Sequence, residues 1–459
     1  MLEMRPKIYI MLGCLLITVL LLVGQVLANT VLLLVCLAGF FALVMWATLK
    51  HMSIPVLLYF LPWSPLLKLQ PGTMSTYSMA LVAVLLIYVF RNSKRFSFAH
   101  IFPAALLLVQ SIILKTVTGE GIDNGYILFF MCLFLFPLIA REKGQEYDFF
   151  TLILYFSFGI IISAISAEQL MVFPTISRYI TVHSYSSMTR LSGFYGDPNF
   201  YSAHITAVVS GALVIILNER NLLKKIVLYV MLIALLYCGF LSVSKSFALI
   251  MVCIAFLWII EVLFRRGRIS SKLMMLLALG VGAVFLLSSI LFTDLIDMMV
   301  GRFFGANAGS NISDFTTGRT EIWISYFRAF EDDPMLLLFG KGFTDDLVNG
   351  RASHNIIIQA IYQFGLVGTG LLFIWLGAYM KSMLDHIHIK ASGIVQAVLI
   401  IVGTFGTWLA IDHLMFDEFF LFPFFAFVGI KYVSDLFVDP EPMNIDDGET
   451  PVVNGLSVN

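Results

Sequence analysis

The sequence predicts an all-α protein that crosses a membrane many times. Of its 459 residues, 59% are hydrophobic and 12% are charged, and the mean hydropathy is +0.93. A soluble domain carries about twice that charged fraction, because its surface must be hydrated. The five cysteines lie in or beside apolar runs and form no CxxC pair, so neither a disulfide framework nor a metal cage is indicated.

Apolar segments long enough to form transmembrane helices follow one another along most of the chain. A window of about 19 residues locates them at 8–27, 31–49, 54–69, 74–90, 99–115, 126–140, 148–166, 199–217, 226–243, 247–264, 273–292, 353–380, 394–411 and 416–433. We therefore expect 12–14 transmembrane helices in one integral membrane domain, residues 1–433. The remainder, 434–459, is acidic and rich in Pro, Asn and Gly, which predicts a disordered cytosolic tail.

Two of these segments need separate justification. The first, 8–27, is longer than the apolar core of a signal peptide and leads directly into the next segment, so we expect it to remain as the first helix. The weakest, 54–69, is short and contains three prolines. It is either a kinked transmembrane helix or a re-entrant piece.

The basic residues indicate an orientation. If every segment crosses and Arg5 and Lys7 are cytosolic, most of the 28 basic residues fall in cytosolic loops, as the positive-inside rule requires. The same alternation places the loops 167–198 and 293–352 outside. The second is the one large external loop, and we expect both loops to form the functional site, because polar sequence beside lipid is retained where it lines a polar cavity.

The large external loop contains a predicted amphipathic helix. Its apolar residues recur at helical spacing at Ile322, Trp323, Tyr326, Phe327 and Phe330. This pattern predicts a helix that lies on the outer leaflet. Arg319 precedes Trp323 by four residues and therefore shares its face, from which an arginine reaches toward headgroups or a lipid diphosphate.

The first external loop ends in the sequence RLSGFYGDPN, residues 190–199. Asp197 followed by Pro198 is a strong helix start, because the carboxylate caps free amides and proline is preset for the first helical position. Arg190 then lies just outside the helix N-terminus, where guanidinium and amides would cradle a diphosphate. The alternative is a capped helix beside an arginine that only reaches for headgroups.

Two further polar residues interrupt apolar sequence at the external boundary. His354 follows Ser353, a candidate N-cap, and a helix N-terminus disfavours imidazolium, so the ring is a candidate general base. A capping or interfacial histidine is the alternative. Lys245 stands in SVSKS, residues 242–246, and is either a second cation for the same anion or a snorkelling lysine in a hairpin turn.

The remaining polar groups carry weaker signals. His204 shares a helical face with Asp197 and is expected to be a packed, hydrogen-bonded residue. The pairs Asp412-His413 and Asp417-Glu418 are candidates for a metal site, for pairing with the arginines or for a solvated turn. The motifs GxGxxG, Walker A and HExxH are absent from the sequence. We therefore expect no cofactor, no metal and no nucleic-acid partner.

The ordered set of these segments resembles the bacterial O-antigen ligase and polymerase superfamily. It comprises RLSGFYGDPN at 190–199, SVSK at 242–245, Gly318-Arg319 with Trp323, LFGKGF at 338–343, and SHN at 353–355 with Gly365 and Gly368. The resemblance covers about residues 180–375. Members of the family often carry arginine where this chain has Lys245, and lysine does not grip a diphosphate with two parallel hydrogen bonds.

The resemblance implies a GT-C-like glycosyltransferase that takes a glycan from undecaprenyl diphosphate at the external face of the bacterial cytoplasmic membrane. His354 would be the catalytic base and the cations would offset the charge of the leaving diphosphate. Tyr195, Trp323 and Tyr326 would stack on sugars. The substrate-binding residues that the resemblance implies are Arg190, Lys245, Arg319, Tyr195, Asp197, Asn199 and Trp323.

Three functions follow from these observations. The first is an inverting, metal-independent polymerase that moves a glycan onto a lipid-linked repeat unit, with a chain-length regulator as a possible protein partner. The second is a ligase that moves the finished glycan to lipid A core or another acceptor. The third is a transporter or flippase, which the sparse intramembrane charge disfavours.

Overall fold

The computed structural model describes residues 4–69, 75–92, 97–119, 121–122, 124–141, 147–180, 183–185, 188–190, 192–195, 197–265, 318–343, 347–384, 389, 391–411 and 417–436. Four predicted features lie outside these residues: the segment 273–292, the part of the loop 293–352 that precedes Gly318, the pair Asp412-His413 and the tail after 436. The last helix reaches Leu436, so the predicted start of the tail at 434 is a few residues early.

Nearly all the described elements are helices. They are α1 (Met4–Val26), α2 (Thr30–Leu49), α3 (Ser53–Phe60), α4 (Thr76–Asn92), α5 (Phe98–Thr118), α6 (Asn124–Leu135), α7 (Phe149–Leu170), α8 (Pro174–Ser177), α9 (Pro198–Asn218), α10 (Leu222–Leu241), α11 (Lys245–Arg265), α12 (Arg319–Asp332), α13 (Pro334–Phe339), α14 (Ile356–Leu384), α15 (Ala391–Phe405) and α16 (Glu418–Leu436). Two three-residue strands, β1 (His183–Tyr185) and β2 (Met188–Arg190), pair as an antiparallel hairpin.

The class predicted from composition is confirmed. Among the described residues, ten helices have the length and the apolar character needed to cross a membrane. Three shorter apolar helices, Ser53–Trp63, Thr76–Arg91 and Asn124–Ile139, coincide with predicted segments. The chain is therefore an all-α, multi-pass membrane protein.

The segment 54–69 forms a short helix inside the protein. α3 and the 3-10 turn after it are buried on every side from Ser53 to Trp63. One end lies beside Tyr88 in the last turns of α4 (Ser53 Oγ to Tyr88 Oη, 3.4 Å). The chain just past the other end contacts Tyr195 through Ser64. A helix too short to cross lipid is tolerated here, because protein surrounds its free polar groups.

α9 and α16 form the centre of the bundle. In the spans of α9 and α16, 89% and 78% of the residues are buried, against 17% for α11. Small residues allow the close contacts: a Cβ on Gly403 of α15 would lie 2.8 Å from Thr206 O of α9. The N-termini of α9 and α16 are therefore held inside the protein, and both carry polar side chains.

One side of the amphipathic helix α12 packs on protein, whereas Ile324 and Phe327 are exposed, and its position on the outer leaflet stays a prediction. Tyr326 and Phe330 of α12 are buried with Ile358 and Tyr362 of α14. The rings of Tyr326 and Tyr362 meet edge to face, with centroids 5.1 Å apart. The helical spacing predicts the apolar face correctly, but its partner is the first part of α14.

α14 is broken at Gly365, where φ is 65° and ψ is −177°. The segment after α13 docks at this break. Lys341 N donates to Tyr362 O and Gly342 N donates to Gln363 O, both at 2.9 Å. Gln110 of α5 completes the junction, since its Nε2 donates to Phe339 O (2.8 Å) and Phe364 O (2.7 Å). The motif at 338–343 therefore ties α12 and α13 to the unwound part of α14.

Candidate functional site

The N-terminus of α9 carries the first part of the site. Asp197 is its N-cap, and Pro198 is the first helical residue, as predicted. Asp197 Oδ1 accepts hydrogen bonds from Asn199 N (2.7 Å) and Asn199 Nδ2 (2.8 Å). The Asp197 carboxylate thus binds the Asn199 amide, which was predicted to help bind a diphosphate. Asp197 therefore competes with an anion for this amide, and the cradle at the helix N-terminus stays a prediction.

The turn between α10 and α11 holds the 190–199 segment in place. Arg190 Nε donates to Ser242 O (3.1 Å). Ser244 Oγ donates to Asn199 Oδ1 (2.7 Å), and Ser246 Oγ donates to the same oxygen (3.2 Å). Asn199 is buried, and its hydrogen bonds join two segments of the chain. Asn199 therefore has a structural role, and the substrate-binding role stays a prediction.

The turn 242–246 has an unusual backbone. Val243 has a φ of 45°, a conformation that a β-branched residue rarely adopts and that costs about 1–3 kcal/mol. The surrounding hydrogen bonds maintain it. The backbone conformation at Val243 directs Ser242 O toward Arg190 and the Ser244 hydroxyl toward Asn199.

A second turn, at 353–355, presents His354. Trp323 Nε1 of α12 donates to Ser353 O (2.9 Å). Asn355 Oδ1 accepts from the amides of Ile357 (3.0 Å) and Ile358 (3.2 Å), so Asn355 caps α14. The prediction that Ser353 is the cap is therefore wrong. His354 precedes the cap and has a φ of 49°, another left-handed conformation outside glycine.

The N-terminus of α9 and the turn at 353–355 meet at Asp197 and His354. Asp197 Oδ2 lies 3.9 Å from His354 Nδ1, and the two side chains are 24% and 34% exposed. Within the part of the chain that the structure describes, Nδ1 makes no hydrogen bond. One carboxylate oxygen thus caps α9 while the other faces the imidazole. We refer to these two residues as the Asp197–His354 pair.

Two of the three predicted cations, Lys245 and Arg319, are the first residues of helices in the same assembly. Lys245 is the first residue of α11 and stands between Ser244 and Ser246, which both bond to Asn199. Arg319 is the first residue of α12, one turn before Trp323. Both side chains are half-buried. Four segments of the sequence motif, at 190–199, 242–246, 319–323 and 353–355, are therefore joined by direct hydrogen bonds or by the Asp197–His354 contact.

Two tyrosines predicted to stack on sugars are part of the interior. Tyr195 is 4% exposed and Tyr326 is fully buried. The Tyr195 ring stacks on Phe200, and Tyr326 Oη donates to Arg351 O. Neither ring offers a free face to a ligand. Trp323 is half-buried and uses its indole N–H to hold Ser353, so it supports the turn that carries His354.

The sequence did not predict a buried polar cluster that lies beneath the 190–199 segment. Glu418, the first residue of α16, is 4% exposed and His204 is fully buried. Glu418 Oε1 lies 2.7 Å from Tyr195 Oη and 3.2 Å from His204 Nε2. The prediction of a packed, hydrogen-bonded His204 is confirmed, whereas a solvated turn at Glu418 is wrong. The one sequence signal for burial of Glu418 is its position directly before an apolar helix.

Asp417 lies beside this cluster and receives a hydrogen bond from Ser78 Oγ (2.9 Å). Burial, and then the neighbouring Glu418 carboxylate, raise the pKa of Asp417 to about 7. No group of three or more His, Cys, Asp or Glu residues that would suit a metal ion occurs among the residues described.

A large apolar groove lies on one side of α14. Its volume is about 1020 Å³, and its walls come from α5, α13 and α14, including Val109, Ile113 and Val367. These three side chains are also exposed on the apolar surface of the bundle. Gln110 and Lys341 supply polar atoms at the junction described above. The groove is therefore open to a hydrocarbon chain.

No family model matches this chain, and a search among curated proteins finds no match. The assignment of a function therefore depends on the geometry of the site and on the order of the motifs.

Proposed function

We propose that this protein is a glycan polymerase that transfers a glycan from undecaprenyl diphosphate onto a lipid-linked repeat unit at the external face of the bacterial cytoplasmic membrane. The single observation that carries the proposal is the Asp197–His354 pair. The Nδ1 atom of this partly exposed imidazole lies 3.9 Å from a carboxylate. A negative charge at that distance favours protonation of the ring, which supports the assignment of His354 as the general base.

The proposed reaction is a single displacement. Nε2 of His354 takes the proton of the acceptor sugar hydroxyl as its oxygen attacks the anomeric carbon of the donor. The bond from that carbon to the diphosphate breaks, the diphosphate leaves with the electron pair, and the anomeric centre inverts. The Asp197 carboxylate stabilises the positive charge that the ring acquires. A positioned base contributes about a hundred- to ten-thousandfold to such a rate.

The cations at the site suit a diphosphate leaving group. Arg190, Lys245 and Arg319 belong to the segments that surround the pair, and positive charge there offsets the charge that develops on the departing diphosphate. This is the role that a divalent metal performs in other transferases, so the proposed reaction needs none.

The groove beside α14 suits the polyprenyl chain of the donor. Its apolar walls reach the lipid-facing surface of α5, so that a carrier enters sideways from the bilayer. The proposal includes 12–14 crossings, a GT-C-like arrangement and a large external loop of which α12 and α13 are part.

The test is elongation of a lipid-linked repeat unit by the purified protein in detergent or nanodiscs. We expect chain lengthening with the native protein and loss of it with His354→Asn. Asparagine is the right substitution, because it tolerates the left-handed backbone at this position whereas alanine adds strain. Lys224→Ala is the control, since Lys224 bonds Glu219 at the far end of α9.

Three results would overturn the polymerase. Transfer that occurs only when an acceptor lipid such as lipid A core is added would indicate the ligase. Movement of the carrier between leaflets without bond formation would indicate a transporter. Normal elongation by His354→Asn would remove the assigned base.

A further inference from the structure

The cluster formed by Glu418, Tyr195 and His204 has no part in the reaction proposed above, yet it is buried directly beneath the site. Burial of a carboxylate is costly unless its oxygens are bonded. Tyr195 Oη donates a hydrogen bond to Glu418 Oε1 (2.7 Å), and His204 Nε2 lies 3.2 Å from the same oxygen without forming a hydrogen bond. His204 is itself fixed by Nδ1, which lies 2.9 Å from Phe200 O.

Tyr195 belongs to this cluster and stands two positions before Asp197 of the site. Its hydroxyl is also 2.6 Å from Leu61 O, and its amide donates to Ser192 O. The turn 192–195, which precedes the Asp197 cap in the chain, is therefore attached to the buried carboxylate of α16. Phe194 in the same turn packs on Trp63, with ring centroids 5.4 Å apart.

We propose that Glu418 is a positioning residue for the Asp197–His354 pair. Its carboxylate holds Tyr195 and, through it, fixes the turn that presents Asp197 Oδ2 to His354. α16 reaches no substrate in this arrangement, and it sets the geometry of the base from below. The catalytic consequence rests on the proposed function, whereas the geometric consequence does not.

Substitutions separate hydrogen bonding from charge. Glu418→Gln keeps an acceptor for Tyr195 and offers an N–H to His204, so we expect kcat within about threefold of the native value. Glu418→Leu and Tyr195→Phe remove the bond between the two residues and should lower kcat about tenfold to a hundredfold with KM changed less than about twofold, because a small displacement of a base has effects of that size. Tyr155→Phe is the matched control, since Tyr155 is another buried tyrosine and bonds Lys7 O.

A second measurement needs no substrate. Cysteines introduced by Asp197→Cys and His354→Cys report the contact through their rate of reaction with a short bifunctional thiol reagent. Both cysteines are present in every variant compared, so the lost cap at 197 and the backbone strain at 354 are the same throughout. The four buried native cysteines are retained, and Cys253, which is half-buried, is replaced by serine. We expect Glu418→Leu and Tyr195→Phe to slow this cross-link at least about fivefold, and Glu418→Gln and Tyr155→Phe to leave it unchanged.

The outcomes are distinct. Unchanged cross-linking in Glu418→Leu and Tyr195→Phe would overturn the positioning role. Equal losses of kcat in Glu418→Gln and Glu418→Leu would do the same, because they would show that the charge is needed. If the native protein elongates no lipid-linked glycan but the cross-link still depends on Tyr195, the proposed function fails and the positioning role stands.

Discussion

The docking of α13 on the break in α14 makes a strong prediction about one glycine. Gly365 has a φ of 65° and a ψ of −177°, a region that is almost restricted to glycine. A Cβ added there would overlap the main-chain atoms Leu338 O and Phe339 N. In the reverse direction, a Cβ on Gly340 would lie 2.5 Å from Gly365 N. Gly365→Ala therefore forces two backbones apart.

Two effects determine the magnitude. The backbone conformation costs alanine about 1–3 kcal/mol. Separation of the two segments weakens the bonds that Lys341 N, Gly342 N and Gln110 Nε2 donate across the junction, each worth about 0.5–1.5 kcal/mol. We expect Gly365→Ala to destabilise the protein by about 3–5 kcal/mol, since not every bond is lost completely.

The same helix provides the control. Gly370 has no atom within 4 Å of its added Cβ, so Gly370→Ala should be neutral or stabilising by up to about 1 kcal/mol. Both variants are compared with the native protein by thermal unfolding in one detergent at one scan rate, because membrane proteins of this size often unfold irreversibly. We expect a lower apparent Tm for Gly365→Ala alone. Equal Tm values for the two variants would refute the close approach of α13 and α14.

Four other predictions follow from the site. If Asp197 and His354 act as one unit, either Asp197→Asn or His354→Asn should lower the elongation rate about a hundredfold or more; the asparagine at 197 keeps the helix cap. The double variant should then be no slower than His354→Asn, and additive losses of rate would contradict this. Arg190→Lys should bind donor better than Arg190→Ala, and equal donor affinities would indicate that only snorkelling is involved. Chelators should leave elongation unchanged, whereas loss that magnesium restores would redirect attention to Asp417. The folded-state pKa of Asp417 is raised to about 7, so the folded state binds the extra proton. The contribution of Asp417 to stability is therefore greatest below about pH 4 and is lost as the pH rises to about 7; Asp417→Asn should remove this contribution from the profile of Tm against pH.

The features of this protein that depend on local chemistry could be predicted from its sequence. The membrane class follows from composition, because lipid accepts apolar side chains wherever the chain places them. The start of α9 follows from Asp197 and Pro198, because a cap needs only its own neighbours. The apolar face of α12 follows from its 3.6-residue period, although that period does not reveal which surface covers the face.

The tertiary structure decided what those residues face. Asp197 and His354 are separated by more than 150 residues, and only the packing of α9, α12 and α14 brings them together. The same packing turned Tyr195 inward onto Glu418, although the resemblance implied that its ring stacks on a sugar. Contacts between distant segments depend on the shape of the whole bundle, whereas a sequence window registers only the residues that are neighbours along the chain.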